Sequence, residues 1–322
     1  MIYETKTVDM AQIDSSDLTF CLGWRKGTER LERSIEDHGL LNPPVLRQKS
    51  DGTFSIVCGF RRVQAVEKLG WSRITAQVAG NAVGEAKLIE LVVSDNRSHR
   101  NLNVIEQAQG IRKLTALDPD LDPDSLASLL GFSANRKVFE KIRSLAALPE
   151  KVQAGLLEDA ISFEAAVDLT TFSSAEAVAF FDLLSPLKLS QNKEKEIINL
   201  VYEIAQREGL SISEVLGGHD VKSVVNENDL NRGEKGNKLR QYVKKRRFPH
   251  LVKTEQKFDQ AIRELKLPAS FRLLPPANFE GENYSVCLSF KDVQGLKQGC
   301  KELKRLSDHP VMRKLFELQG RK

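Results

Sequence analysis

Val57-Cys58-Gly59-Phe60-Arg61-Arg62-Val63-Gln64-Ala65-Val66-Glu67-Lys68-Leu69-Gly70 decides the reading of this chain. Just before and into it, Thr53, Ser55 and Val57 alternate with Phe54, Ile56 and Cys58, a period of two that predicts a strand. Downstream, Val63, Val66 and Leu69 recur at helical spacing and Gly70 supplies a stop. Gly59 therefore sits where a strand turns into a helix. The start of a helix presents unpaired N–H groups and the positive end of its dipole, which suits an anion. Glycine lets a ligand approach the backbone, and Arg61 and Arg62 can fork onto phosphate oxygens. The same residues also describe an ordinary strand–turn–helix with solvated arginines, because a short glycine turn alone is a weak motif.

Outward from this turn, Ser50-Asp51-Gly52 makes a tight connection from a strand at Val45-Leu46-Arg47. Leu40-Leu41-Asn42-Pro43-Pro44 leads into that strand. A helix capped by Thr28, with Leu31, Ile35 and His38 on one face, precedes it and ends at Gly39. Earlier still come an apolar run, Leu18-Thr19-Phe20-Cys21-Leu22, and the glycine-flanked Gly23-Trp24-Arg25-Lys26-Gly27. On the other side, Ile74, Ala76 and Val78 read as a strand and residues 82–93 as a helix. Asp95-Asn96-Arg97-Ser98-His99-Arg100-Asn101-Leu102-Asn103 then reads as a polar loop closing that helix. Asp95 and Asn96 offer the hard oxygens that Mg²⁺ takes when it bridges a nucleotide, and Arg97, His99 and Arg100 add positive charge. A solvated connection is the alternative.

Residues 103–117 form a helix, broken by Asp118-Pro119-Asp120-Leu121-Asp122-Pro123. Asp124 or Ser125 caps the next, which carries Leu126, Leu129 and Leu130. Gly131-Phe132-Ser133 turns into a helix over 134–148, with Val138, Ile142 and Leu145 facing inward. Helix, short glycine turn, helix is the helix-turn-helix pattern, whose second helix enters a major groove. Its DNA candidates are Ser133, Asn135, Arg136, Lys137, Lys141 and Arg143. Asn135 suits adenine, while Arg136 and Lys137 suit guanine or phosphate. A plain helical hairpin fits the same pattern. Residues 217–238 are poor in apolar side chains and read as a flexible connection. Lys238-Leu239-Arg240-Gln241-Tyr242-Val243-Lys244-Lys245-Arg246-Arg247 packs basic residues with no acid. It is either a phosphate-attracting block or a solvated helix face. A helix over 249–265, an edge strand near Leu273-Leu274, a strand over 284–290 and a helix with Val293, Leu296, Cys300 and Leu303 on one face complete a small α+β module. So few strands make a thin core, which pairing with a second copy would thicken.

The fold class is thus α+β and mostly helical. The expected divisions are 1–112, 113–215, a linker over 216–237, and 238–322. The 322 residues are 41% hydrophobic and 29% charged with a net charge of +4, which permits a nucleic-acid partner without demanding one. No apolar run of about 18 residues exists to span a membrane. Met1-Ile2-Tyr3-Glu4-Thr5-Lys6 does not open like an export signal, so a cytoplasmic protein is expected. Cys21, Cys58, Cys287 and Cys300 are scattered and read as free buried thiols, and the five histidines have no zinc spacing.

Three segments in one order resemble the ParB partition protein family over roughly residues 1–175. They are Leu31-x-x-Ser34-Ile35-x-x-x-Gly39-Leu40-Leu41-x-Pro43, Gly59-Phe60-Arg61-Arg62-x-x-Ala65, and Asp95-Asn96-x-x-His99-x-x-Leu102-Asn103-x-Ile105-Glu106-x-Ala108. Ala147-Leu148-Pro149-Glu150-x-Val152-Gln153 and Ile161-Ser162-Phe163-x-x-Ala166 extend the likeness. The resemblance implies an N-terminal domain binding CTP and Mg²⁺. Gly59, Phe60, Arg61, Arg62, Ala65, Asn96, His99 and Arg100 would be at the nucleotide, and Asp95 and Asn96 at the metal. It implies a homodimer that closes as a clamp on double-stranded DNA, slow CTP hydrolysis, a ParA-type ATPase partner, and chromosome or plasmid segregation on the nucleoid. The family's usual box reads Gly-Glu-Arg-Arg, but Phe60 holds the glutamate position here. Asp95 replaces a glutamate, His99 an arginine and Val104 a proline. The lost carboxylate bears on hydrolysis more than on binding. A site-specific regulator without turnover is the alternative. Sulfiredoxins and some ATP-dependent serine kinases use a related turn, which leaves the base open.

Overall fold

Val8, Leu46, Phe54, Ile56, Ile74, Ala76 and Val78 close on one another across a mixed sheet, and Ile35, Val63 and Val66 cover it from two helices. The computed structural model describes residues 3–23, 27–80, 82–227, 229–279 and 283–317. Trp24, Arg25 and Lys26, and the Met1-Ile2 start, lie outside them. The chain divides into two compact units, 1–195 and 196–322.

The first unit begins with β1 (Tyr3–Asp9), β2 (Ile13–Asp14), α1 (Glu29–His38), β3 (Val45–Gln48), β4 (Phe54–Cys58), α2 (Phe60–Lys68), β5 (Arg73–Ala79) and α3 (Glu85–His99). The sheet order is β1-β5-β3-β4-β2. β1 runs antiparallel to β5, β5 parallel to β3, β3 antiparallel to β4, and β4 parallel to β2. β1 has no counterpart in the sequence reading. It is an edge strand with one buried side chain, Val8, so it carries almost no hydrophobic pattern. β4, by contrast, is buried at all five positions. Phe54 and Ile56 join the core beneath α1 and α2, and α3 packs on the strand as well. On α1 only Ile35 is buried, and His38 is exposed rather than sharing its face.

α4 (Val104–Leu117), α5 (Pro123–Leu130), α6 (Arg136–Ser144), α7 (Glu150–Leu157), α8 (Phe163–Leu169) and α9 (Ser174–Leu184) follow, and α10 (Gln191–Glu208) spans the division. α4 packs on α3, α5, α6 and α7. The expected boundary at 112 cuts this continuous helix, so the sheet and the helices after it form one unit. Asn103 and Glu106 close a reciprocal cap at the start of α4. The cap of α5 is Asp122, not Asp124 or Ser125. Its carboxylate accepts from Ser125 N at 2.9 Å, and Pro123 takes the first helical position.

In the second unit come α11 (Ile212–Gly217), α12 (His219–Asn226), α13 (Arg232–Arg247), α14 (Pro249–Leu265), β6 (Phe271–Leu274), β7 (Ser285–Leu288), α15 (Val293–Ser307) and α16 (Pro310–Glu317). The expected linker is helical. Val221 and Val224 are buried, and Asn231 with Glu234 caps α13. β6 and β7 form a two-stranded antiparallel sheet. Phe258, Leu265, Phe271, Leu273, Leu306, Val311 and Leu315 make its core. The apolar face read on this last long helix, α15, is open to solvent: Val293 is 69% exposed, and Leu296, Leu303 and Cys300 are exposed too. Cys287 is also exposed, so burial holds for Cys58 but not for all four thiols.

Candidate functional site

β4 runs into Gly59, whose φ of +94° is left-handed and favours glycine. A Cβ there would lie 3.0–3.1 Å from the Arg62 guanidinium, which folds back over the turn. Among the described residues no side chain caps α2 at Gly59, and its first turn carries no acid. The start of the helix keeps the electropositive character of unpaired N–H groups. Arg61 Nη2 donates to Gly27 O at 2.9 Å, and Arg62 Nη1 to Asn42 O at 2.7 Å and Pro43 O at 3.1 Å. These bonds aim both guanidiniums while leaving other N–H donors on each fork. Two neighbours in the motif pack inward. Ala65 is fully buried, where its small size serves packing, and Phe60 lies against the apolar core.

The polar cluster from Asp95 is not a loop. α3 continues through His99, so Asp95, Asn96 and Arg97 ride on its last turns. Asp95 reaches the end of β4. The Cys58 thiol is pushed up to about 12 by burial first and then by the Asp95 charge, with Arg62 opposing, and its S–H is hydrogen-bonded to Asp95. The phenol of Tyr3 on β1 is raised by burial and by the same Cys58 and Asp95 groups. Cys58, Asp95 and Arg62 thus share one neighbourhood, which joins the glycine turn to the end of α3. The thiol there stays protonated and is a poor nucleophile.

Asn96 Nδ2 donates to Val92 O at 2.8 Å, which leaves its Oδ1 as an acceptor. Asp95 Oδ1 lies 4.0 Å from His99 Nε2, a loose approach. Two hard oxygen groups on adjacent residues suit Mg²⁺. No cluster of three or more metal-binding side chains exists among the described residues, so such an ion would need phosphate and water ligands as well. Arg100 lies just beyond α3, where Nη1 and Nη2 fork onto Glu106 at 2.6 Å each. Its guanidinium is bound to a buried carboxylate, not held open for phosphate. Arg97 turns away as well and donates to Ser128 O and Leu129 O.

α5 and α6 are joined by a five-residue connection beginning at Gly131, whose φ is +83°. Phe139 and Ile142 are buried, while Ser133, Arg136, Lys137 and Arg143 are exposed. Two expected base or phosphate contacts have other work. Asn135 is the cap of α6, its oxygen accepting from Lys137 N at 2.9 Å and Val138 N at 3.3 Å. That takes away the acceptor adenine recognition needs. Lys141 is held by both oxygens of Glu164 on α8 at 2.6 Å.

The basic block on α13 is largely neutralised inside its own unit. Arg240 meets Glu196, Arg246 meets Glu208 and Arg247 meets Glu203 on α10, Lys244 meets Glu255 on α14, and Lys238 meets Glu227. Glu196 and Glu203 are seven apart, as are Arg240 and Arg247, the spacing of two parallel helices in register. Sequence reading missed Glu227 and the four other acids because each lies 11 to 44 residues from its partner.

Residues 4–96 match the ParB N-terminal domain. The nucleoid occlusion protein of Geobacillus sp. (strain WCH70) is 37% identical over 134 residues, 42% of this chain and 46% of that protein. The chain thus spans about half the length of the curated relatives it matches. Among solved structures it is similar to the C-terminally truncated chromosome-partitioning protein ParB from Caulobacter crescentus complexed with CTP-gamma-S, with 22% identity, a TM-score of 0.27, and coverage of 56% of this chain and 98% of that one. The same protein complexed to the centromeric parS site gives 19% identity, a TM-score of 0.34, and coverage of 60% and 98%.

Proposed function

We propose, for a chain that carries a ParB N-terminal domain over residues 4–96, that it is a DNA-binding nucleotide switch of ParB type. CTP with Mg²⁺ would sit between the start of α2 and the end of α3. Gly59, Arg61 and Arg62 would meet phosphate, and Asp95 and Asn96 the metal. The observation that carries this reading is that Asp95 from α3 and Arg62 from α2 both come up to Cys58 beside the glycine turn. Bound Mg²⁺ would supply charge neutralisation for the triphosphate. The α5–α6 pair would act as the helix-turn-helix, with Arg136, Lys137, Arg143 and Ser133 on its open face. Exposed Phe290, Val293, Leu296 and Leu303 support homodimerisation through the C-terminal module. The name of the relatives supports action on nucleoid DNA. Segregation and a ParA-type ATPase partner follow from the family resemblance.

Isothermal titration with CTP, ATP, GTP and UTP, each with Mg²⁺, tests the reading. CTP is expected to bind, and Arg61→Ala to abolish that binding while DNA retention persists. Failure of all four nucleotides would overturn it. Phe60, packed against the core where the family has a glutamate, favours a second reading: a site-specific regulator that binds DNA without turnover. Phosphate release with and without DNA separates the two.

A further inference from the structure

Arg97 follows Asp95 and Asn96 directly, yet two helical steps turn it about 200° from Asp95. It therefore leaves α3 on the side away from the glycine turn. Its Nη1 donates to Ser128 O at 3.0 Å and to Leu129 O at 2.6 Å. These carbonyls lie at the end of α5, where a helix leaves acceptors over and where its dipole favours a cation. Gln107 of α4 reaches the next one, Leu130 O, at 3.5 Å. A Cβ on Gly131 would lie 3.1 Å from Arg97 Nε, and Gly131 has a φ of +83°. Glycine at this turn thus serves the backbone and makes room for the guanidinium.

We propose that Arg97 is the positioning residue that ties the α5–α6 turn to the helix end bearing Asp95 and Asn96, so that nucleotide occupancy is felt at the DNA-reading element. Asp95, Asn96 and Arg97 occupy one turn of a continuous helix. A shift of that turn when phosphate and metal load one side moves the Arg97 guanidinium on the other. Because Nη1 holds two successive carbonyls, it transmits rotation as well as translation. The start of α6 lies a few residues further on. The proposal rests on the nucleotide reading above. It concerns a residue that touches neither nucleotide nor DNA there.

Hydrogen exchange of the full chain, with and without CTP–Mg²⁺, tests it without knowledge of the DNA site. Titration with CTP is run in parallel on wild type, Arg97→Ala, Arg97→Lys and Gly131→Ala. In wild type, CTP is expected to change exchange at amides 126–139 by about five-fold or more, the lower end of usual coupling between sites. Arg97→Ala is expected to bind CTP within about two-fold of wild type but lose that response. Arg97→Lys keeps a cation at the end of α5 but loses the planar guanidinium that rests against Gly131, so it folds as wild type and restores only part of the response. Gly131→Ala crowds the guanidinium and behaves like Arg97→Ala. If wild type binds CTP and these amides do not respond, or respond equally in Arg97→Ala and Arg97→Lys, the proposal is overturned. If wild type binds no CTP, the nucleotide reading fails first and takes this one with it.

Discussion

Arg100 and Glu106 meet in a two-armed ion pair, Nη1 to Oε2 and Nη2 to Oε1, each at 2.6 Å. The carboxylate is buried while half of the arginine side chain is open to solvent. Glu106 also accepts from Asn103 N at 3.0 Å as part of the cap of α4. The pair therefore pins the crossing from α3 to α4. Removing the arginine leaves a buried charge with the cap N–H as its remaining partner. Arg100→Ala should cost about 2 kcal/mol, below the roughly 3–5 kcal/mol of a fully buried pair because solvent screens one side. Glu106→Gln keeps the cap acceptor and should cost about 1 kcal/mol. Urea midpoints check the order. A larger loss for the glutamine variant would contradict it.

Acid should loosen the first unit through Asp14, Asp17 and Lys49. Lys49 Nζ lies 2.8 Å from Asp14 and 2.9 Å from Asp17, and Ser55 donates to Asp17 at 2.6 Å. Bonds from Lys49 and Ser16 lower Asp14 to about 2. Partial burial acts against ionisation of Asp17, but bonds from Ser55, Thr19 and Lys49 outweigh it and lower that carboxyl as well. Carboxyls depressed in the fold contribute stability above their unfolded pKa of about 4 and lose it as pH falls toward the folded value. Unfolding midpoints should drop between about pH 4 and pH 2, and less steeply in Asp17→Asn. Parallel pH curves for the two proteins would exclude this cluster as the cause.

The ladder between α10 and α13 predicts a salt response of fold rather than of DNA binding. Arg240, Arg246 and Arg247 sit 2.5–2.6 Å from Glu196, Glu208 and Glu203. Paired this way, they add little free charge for phosphate. Arg240→Gln with Arg247→Gln should leave retention on non-specific DNA within about two-fold and lower the melting temperature at low salt. Lys137→Ala, which removes an exposed cation, should reduce the salt slope by about one. A slope that falls equally in both would return the block to DNA.

What could be read from the chain alone was local. Gly59 marked its turn because strand and helix periods change within a few residues of it. The pair at Asn231 and Glu234, like that at Ser211 and Glu214, spelled a helix start. Polar composition nonetheless suggested a linker there, because the helix is held by tertiary pairs. Asn135 and Lys141 were legible as polar residues at the right positions. Their partners, the backbone of α6 and Glu164, set what they do, and those choices belong to packing. β1 stayed hidden because β5 supplies most of what holds it.

Gly59→Ala gives the sharpest test of the turn itself. The backbone there is left-handed, so any Cβ is strained by about 1–2 kcal/mol. The added carbon would also meet Arg62 Nε and Cζ at 3.0 and 3.1 Å. The guanidinium can move, but only by giving up its bonds to Asn42 O and Pro43 O. Fold and site should therefore respond differently: a melting point lowered by a few degrees and CTP affinity lowered by ten-fold or more, about 1.4 kcal/mol. Arg62→Lys separates the causes, since it leaves the backbone alone and removes the planar fork. It should reproduce the loss of CTP affinity without strain at residue 59. Titration calorimetry with thermal melts of both variants reads the difference, and unchanged CTP binding in both would remove Arg62 from the phosphate site.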